Sequence, residues 1–375
     1  MIVCSLLSVS CTFFDKIFKK NKSKDDGDYT SYWYYSYEAV EQIGHEMLGL
    51  ASVDDFNPYA VAQAGDTLFV SNVAGTPSVV VFDIRNNRPL STVSQWSVNG
   101  SRAGFGSRIE AIVPTSERLY VVEQASRIHV FSLPALEYIT CIGNGRWQGQ
   151  VFQAQALTVY DGLIFARDKD GKVSVYKESD ATAANYQNVT RYKYTNTYSS
   201  NNGFNPHYMA IAADSTIWLT DYEAMEIRVL DPSAVNDGMA NGTSIDIPSR
   251  KLSIAGFKPR TFAVNEERLY VTGNNNSLNV YDFERKEWVK TLKSVKGFAF
   301  SNPERVYSAE EGVLWVSDIN NKILVKVGVF KGEIREYTKI SEQIVRVEPP
   351  LLSYGDTPEA FYVNVLTHEI VDPFE

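Results

Sequence analysis

Four side chains spread along this 375-residue sequence have the chemistry to hold an anion: Arg108, His207, Arg260 and Arg305. A guanidinium offers paired N–H donors that match a carboxylate, and an imidazole can add a donor or move a proton near neutral pH. His207 follows Asn205-Pro206, so ligand or acid–base work stands beside a plain hydrogen-bonded structural role. Arg108 and Arg305 lie 197 positions apart, so only the fold can bring these groups together. Contiguous catalytic signatures are absent. The four histidines, His45, His129, His207 and His368, include no His-Glu-x-x-His pair, and the chain has no Gly-x-Ser-x-Gly elbow, phosphate-cradling glycine loop or Cys-x-x-Cys pair. Ala103-Gly104-Phe105-Gly106 precedes a strand, with no helix after it to hold a phosphate.

The element that must position those groups is a repeat. A strand core recurs as Leu68-Phe69-Val70, Leu119-Tyr120-Val121, Leu163-Ile164-Phe165, Ile217-Trp218-Leu219, Leu269-Tyr270-Val271 and Leu314-Trp315-Val316, with steps of 51, 44, 54, 52 and 45 residues. That period belongs to a four-stranded propeller blade. Each copy leads into a further strand, from Val79-Val80-Val81-Phe82 to Ile323-Leu324-Val325-Lys326. Upstream, Phe56-Asn57-Pro58, Phe204-Asn205-Pro206, Phe257-Lys258-Pro259 and Asn302-Pro303 start four of the units with a rigid entry turn; proline suits a strand's first residue because it need not donate to the ladder. The expected fold is all-β: a six-bladed β-propeller of four-stranded antiparallel blades, closing on itself as one domain.

In such a ring the starts of the innermost strands converge on one channel mouth. The residues expected there are Tyr59, Arg108 or Glu110, Gln153 or Gln155, His207 with Tyr208, Arg260, and Glu304 with Arg305. Two readings stand for them: an anion-binding funnel for an acidic sugar or carboxylate, or a structural ring in which the arginines pair with Glu110 and Glu304. Asn72, Glu123, Asp221 and Asp318 recur after the second strands and are expected to hydrogen-bond the turn into strand three.

The blade pattern resembles six-bladed propellers of the NHL and TolB-like kind, in particular propeller lipoproteins of Bacteroidetes, over roughly residues 50 to 340. Gluconolactonase-like members of that group hold a channel metal with Glu, Asn and Asp. No such set matches here residue by residue.

Net charge of −9 argues against nucleic acid. Residues 1–10 read as a lipoprotein signal peptide: an apolar run ending in Ser8-Val9-Ser10-Cys11, too short to span a bilayer, with Cys11 the residue to be acylated. Residues 11–28 are charged and form a tether. Residues 29–50 form an aromatic stretch followed by a segment in which Val40, Ile43, Met47 and Leu48 have helical spacing. The propeller is assigned to 51–375, with 341–375 as its closing segment. Cys141 is expected to be a small buried residue. Together these features describe a monomeric, lipid-anchored protein of the bacterial outer membrane, periplasmic or surface-exposed, binding or scaffolding an envelope protein or glycan without catalysis. The alternative is a lactonase- or lyase-like enzyme using a divalent metal in the channel.

Overall fold

The structure is a computed structural model that describes residues 32–371 except 125–126, 144–150, 152–153, 168–172, 196–205, 213–214, 231, 233–249, 311, 335–336, 342 and 348–360. The signal peptide, the tether with Cys11, and Gln153 lie outside the described residues.

The chain is an all-β propeller of four-stranded antiparallel blades. Five separate four-stranded sheets follow one another in sequence, and an eight-stranded sheet comes last. The six strand cores read from the sequence occupy the second strands Thr67–Asn72, Arg118–Glu123, Leu163–Arg167, Ile217–Asp221, Arg268–Gly273 and Val313–Asp318. Their inner neighbours are Pro58–Ala64, Ile109–Pro114, Ala156–Tyr160, Pro206–Ile211, Pro259–Val264 and Pro303–Glu310. Each inner strand lies beside that of the next sheet, and the last returns to the first. Apolar clusters fill the spaces between neighbouring sheets. Tyr120, Val122, Ile164 and Ala166 join the second and third, and Leu68, Val80, Trp315 and Leu324 join the last to the first. Burying such side chains stabilises each junction by about 1.5–3 kcal/mol per large residue. Cys141 is buried, as its outer-strand pattern suggests.

A hydroxyl recurs where the second strand nears the channel. Ser71, Thr220, Thr272 and Ser317 donate to the backbone carbonyls of Ile109, Arg260, Glu304 and Tyr59, each on the inner strand of the next sheet, at 3.5, 2.9, 3.1 and 2.9 Å. Three of them also accept an N–H from their own inner strand, at Ala60, Thr261 and Arg305. Val122 and Ala166 stand at this position in the second and third sheets.

Two expectations are corrected. The helical spacing after the aromatic stretch does not make a helix: Tyr32–Ile43 is a twelve-residue strand, antiparallel to Ile323–Ile334. Trp33, Tyr35, Tyr37 and Ala39 all pack into one cluster, so the operative period is two. The second correction concerns closure. This N-terminal strand, not the tail, takes the fourth place in the last sheet, beside Pro303–Glu310, Val313–Asp318 and Ile323–Ile334. The tail strands Glu369–Val371, Phe361–Asn364, Ile344–Val347 and Tyr337–Lys339 extend the sheet outward beyond it. A free strand edge is an open pairing surface, and these strands cover part of it. Arg268, fully buried on the fifth sheet, fastens the tail by an ion pair to Glu369 and the N-terminal strand by a 2.6 Å bond to the Tyr37 hydroxyl.

Candidate functional site

The prolines that open the inner strands do more than start them. In five sheets, four opened by proline and the second by Ile109, the first pair of strands slips register at that point, between Pro58 and Val61, Ile109 and Ala111, Pro206 and Tyr208, Pro259 and Phe262, and Pro303 and Arg305. A β-bulge re-aims the extra residue. The residues so placed are Tyr59, Glu110, His207, Arg260 and Glu304, and all five line one pocket of about 190 Å³ at the channel mouth, with Arg108, Gln155 and Tyr222.

The convergence expected from the sequence is therefore present for Tyr59, Arg108, His207 and Arg260. Gln155 supplies the third sheet's contribution. Tyr208 and Arg305 do not line this pocket. As the residues after His207 and Glu304, they follow the strand alternation to the other side, and both face the central channel below. Tyr208 packs there edge-on against Phe262, 5.2 Å between ring centres.

Charge pairing at the mouth is dense. Arg108 donates twice to one oxygen of Glu110, at 3.0 and 2.7 Å. Arg305 reaches the other oxygen at 3.3 Å and the Tyr59 hydroxyl at 3.0 Å. Both guanidiniums lie over the Tyr59 ring, 4.6 and 4.5 Å from its centre, where the π face adds to their stabilisation. Arg260 bridges to Glu304 and to Asn302, each at 2.7 Å. Arg167, buried behind the mouth, donates to Gln155. The structural ring of arginine and glutamate thus exists, yet it does not balance. Among the described residues, Arg108, Arg260 and Arg305 carry three positive charges against two on Glu110 and Glu304, an excess of one. Glu223, near His207, is offset by Lys258 at 2.6 Å.

Burial sets the protonation of the neighbours. Burial lowers the His207 pKa to about 4, and Arg305, Arg167 and Arg260 push the same way, so the imidazole is neutral at pH 7. Its ring lies 4.7 Å from that of Tyr222. Burial raises the Tyr59 phenol above its ordinary value, which Arg305 only partly offsets. Tyr59 therefore stays a hydroxyl donor. Arg108 keeps 42% of its side-chain surface exposed, against 21% for Arg260, and is the cation most open to a ligand.

Asn72, Asp221 and Asp318 bond the turn into strand three as expected, and the carboxyl and amide groups also reach other loops. Asp318 accepts from Asn321 in the turn to strand three and also from Ser301 and Asn302 in the entry loop. Asn72 accepts from Ala74 and Asn57. Asp221 accepts from Ala224. Glu123 holds Gly106 and Ser107 through their N–H groups. The groups thus help to hold the loops that aim the mouth residues. His129 is not at the mouth. It is buried, bonded to Glu123 at 2.8 Å, and covered by Trp96, whose ring centre is 4.8 Å away.

Among the described residues no three His, Cys, Asp or Glu side chains gather to hold a metal ion, and no helix is long and apolar enough to cross a membrane. No protein-family model matches the sequence. No curated protein matches it either. Solved structures do match. A protein of unknown function from Bacteroides thetaiotaomicron superposes with a TM-score of 0.53 at 14% identity, over 82% of this chain and 78% of that one. The Cps50 (Swd1) β-propeller domain of Myceliophteria thermophila gives 0.51 at 11% identity, over 78% of this chain and 100% of that one. At such identities the likeness is one of fold, and the fold is the β-propeller.

Proposed function

We propose that this chain is a non-catalytic binding or scaffold propeller whose channel mouth holds an anionic group of an envelope protein or glycan. The observation that carries the reading is the excess of one positive charge among the described residues of the mouth, with Arg108 open to solvent and Tyr59 and neutral His207 beside it as hydrogen-bonding groups. Buried cations without full compensation are costly, and a carboxylate offsets that cost. The ring is read as six-bladed, with Pro303–Glu310, Val313–Asp318, Ile323–Ile334 and Tyr32–Ile43 as the sixth blade; the supporting observation is the cycle of six neighbouring inner strands. Lipid anchoring through Cys11 in a bacterial outer membrane, on the periplasmic or outer side, belongs to the same reading and rests on the sequence. Its test is Cys11→Ala, which should move the protein from the membrane to the soluble fraction.

The alternative, a channel-metal lactonase or lyase, has weaker support. The mouth carboxylates Glu110 and Glu304 are already bonded to arginine, and surrounding guanidiniums repel a divalent cation. The deciding experiment titrates the protein with glucuronate and with neutral glucose while following the His207 ring protons. A bound anion stabilises the imidazolium, so glucuronate should raise the His207 pKa and glucose should not. Arg108→Ala should weaken glucuronate binding about tenfold, the equivalent of one charge-assisted contact. Equal responses to both sugars would remove the anion reading, and a stoichiometric, chelator-sensitive metal would replace it with the enzyme.

A further inference from the structure

Below the mouth the channel changes character. A separate cavity of about 230 Å³ runs along the inner strands, walled chiefly by Ala60, Ile112, Leu157, Met209, Phe262 and Val306, with Arg305 and Glu110 at its mouth end. Those two polar residues are almost completely buried, and their ion pair stands between the polar mouth and the apolar channel. The opposite end, at Val113, Ile211, Val264 and Ser308, is only half-buried, so entry is from that side.

Two observations show that the sealed end is incomplete. The Nε of Arg305 is buried with no hydrogen-bond partner, an arrangement that costs the desolvation of a charged donor. In addition, the single carboxylate of Glu110 serves both Arg108 and Arg305, leaving one positive charge of that trio uncompensated. A pocket that is apolar along its walls and cationic at one end fits an amphipathic anion. An apolar cavity of about 150 Å³ holds a benzene ring. By proportion this one holds a molecule of roughly nine heavy atoms.

We propose that the central channel is a second binding site, for a compact apolar molecule ending in one carboxylate, with the carboxylate against Arg305 and the apolar body along Met209 and Phe262. The two cavities share Glu110 as a lining residue, so the channel is tested with the mouth's ligand already in place. Benzoate and heptanoate, both of about the required size, are the probes, and benzyl alcohol is the neutral control. Calorimetry on the full chain, with glucuronate saturating the mouth, should give one saturable benzoate site. Benzyl alcohol should bind at least tenfold more weakly, and Ala210→Leu, which fills the channel beside Met209, should abolish benzoate binding while leaving the mouth residues untouched. In the wild-type protein, benzoate should shift the methyl signal of Met209, a readout that stands even if Ala210→Leu fails to fold. Absence of saturable binding, or an unmoved Met209 methyl, overturns the proposal. So does benzoate binding that survives Ala210→Leu in a folded variant. Equal affinity for benzyl alcohol overturns the assignment of the carboxylate to Arg305.

Discussion

Two junctions of this ring are built differently. Where the last sheet meets the first, polar ties cross between residues far apart in sequence. Ser317 donates to the Tyr59 carbonyl, Arg305 to the Tyr59 hydroxyl, Tyr307 to the Gln63 carbonyl and the Trp315 indole to the Gln63 side chain, the last two at 3.2 and 2.8 Å. Where the second sheet meets the third, the space beside the channel is filled by Tyr120, Val122, Ile164 and Ala166. Its polar ties, from Arg118 and Tyr120 to the Glu178 loop, are set toward the opposite face. The second and third sheets, adjacent in sequence, meet by apolar burial at this place, whereas Ser71, Thr220 and Thr272 tie three other adjacent junctions as Ser317 ties the closing one. The closing sheets must find each other across more than 240 residues, and directional bonds fix their register in a way that non-directional burial cannot.

The closing region should therefore be the more fragile under single substitutions. The largest effect is expected for Glu369→Ala. Arg268 has no exposed surface and depends on Glu369, with Asp282 more distant at 3.5 Å. Removing one partner of a buried pair leaves a charge without compensation, and the loss should be about 3 kcal/mol in chemical denaturation. Tail strands that unfold ahead of the ring would show as a separate early transition. A loss below about 0.5 kcal/mol would mean that the tail is not fastened by this pair.

Ser317→Ala comes next. It removes the partner of the Tyr59 carbonyl and of the Arg305 N–H together, which should cost about 1–3 kcal/mol because both groups are buried. Val122→Ala, at the matching place in the second sheet, should cost a similar amount through lost burial alone. The two variants differ in kind: only Ser317→Ala should disturb the mouth, through Tyr59 and Arg305, and weaken anion binding. Equal effects on binding would erase the distinction between the junctions.

A pH scan probes the mouth from another side. The His207 pKa is lowered to about 4 in the folded protein, whereas an unfolded histidine titrates near 6.5. Between those values the unfolded chain binds more protons, so stability should be full above about pH 6.5 and fall as pH drops toward 4. His207→Asn should remove that part of the slope. A slope unchanged by the substitution would assign it to other groups.

How much of this was legible in the sequence follows from the same physics. The second strands repeat an apolar core at blade spacing, and burial forces that pattern on every copy. The N-terminal strand is a single copy. Its alternation of Trp33, Tyr35, Tyr37 and Ala39 was outweighed by the chance helical spacing of Val40, Ile43, Met47 and Leu48. At the mouth, the residue after each entry proline, at Tyr59, His207, Arg260 and Glu304, was a readable rule. The choice of His207 over Tyr208 was not, because it depends on a bulge, and nothing in a single strand's sequence marks the register slip. The hydroxyls at Ser71, Thr220, Thr272 and Ser317 were visible as the residue after four of the six strand cores, but their partners lie on another sheet.

The smallest predicted effect asks whether the hydroxyl tie can be transplanted. Ala166 occupies the place of Ser317 in the third sheet and is fully buried. In Ala166→Ser the new hydroxyl would face the inner strand of the fourth sheet, where the carbonyl of His207 corresponds to those of Arg260, Glu304 and Tyr59. The third sheet differs from the rest in one respect: its first two strands pair from Ala156 with Arg167 to Tyr160 with Leu163 without a register shift. No inner N–H is displaced there, so the hydroxyl can gain its acceptor in the next sheet but not the second bond that Ser317 makes. The expected gain is about 0.5 kcal/mol, the low end for one buried hydrogen bond. A buried hydroxyl that finds no acceptor costs about 1–3 kcal/mol instead. The sign of the change in denaturation midpoint thus decides whether the third and fourth sheets meet in the same geometry as the closing pair, and a loss of stability would show that the bulge and the hydroxyl work only together.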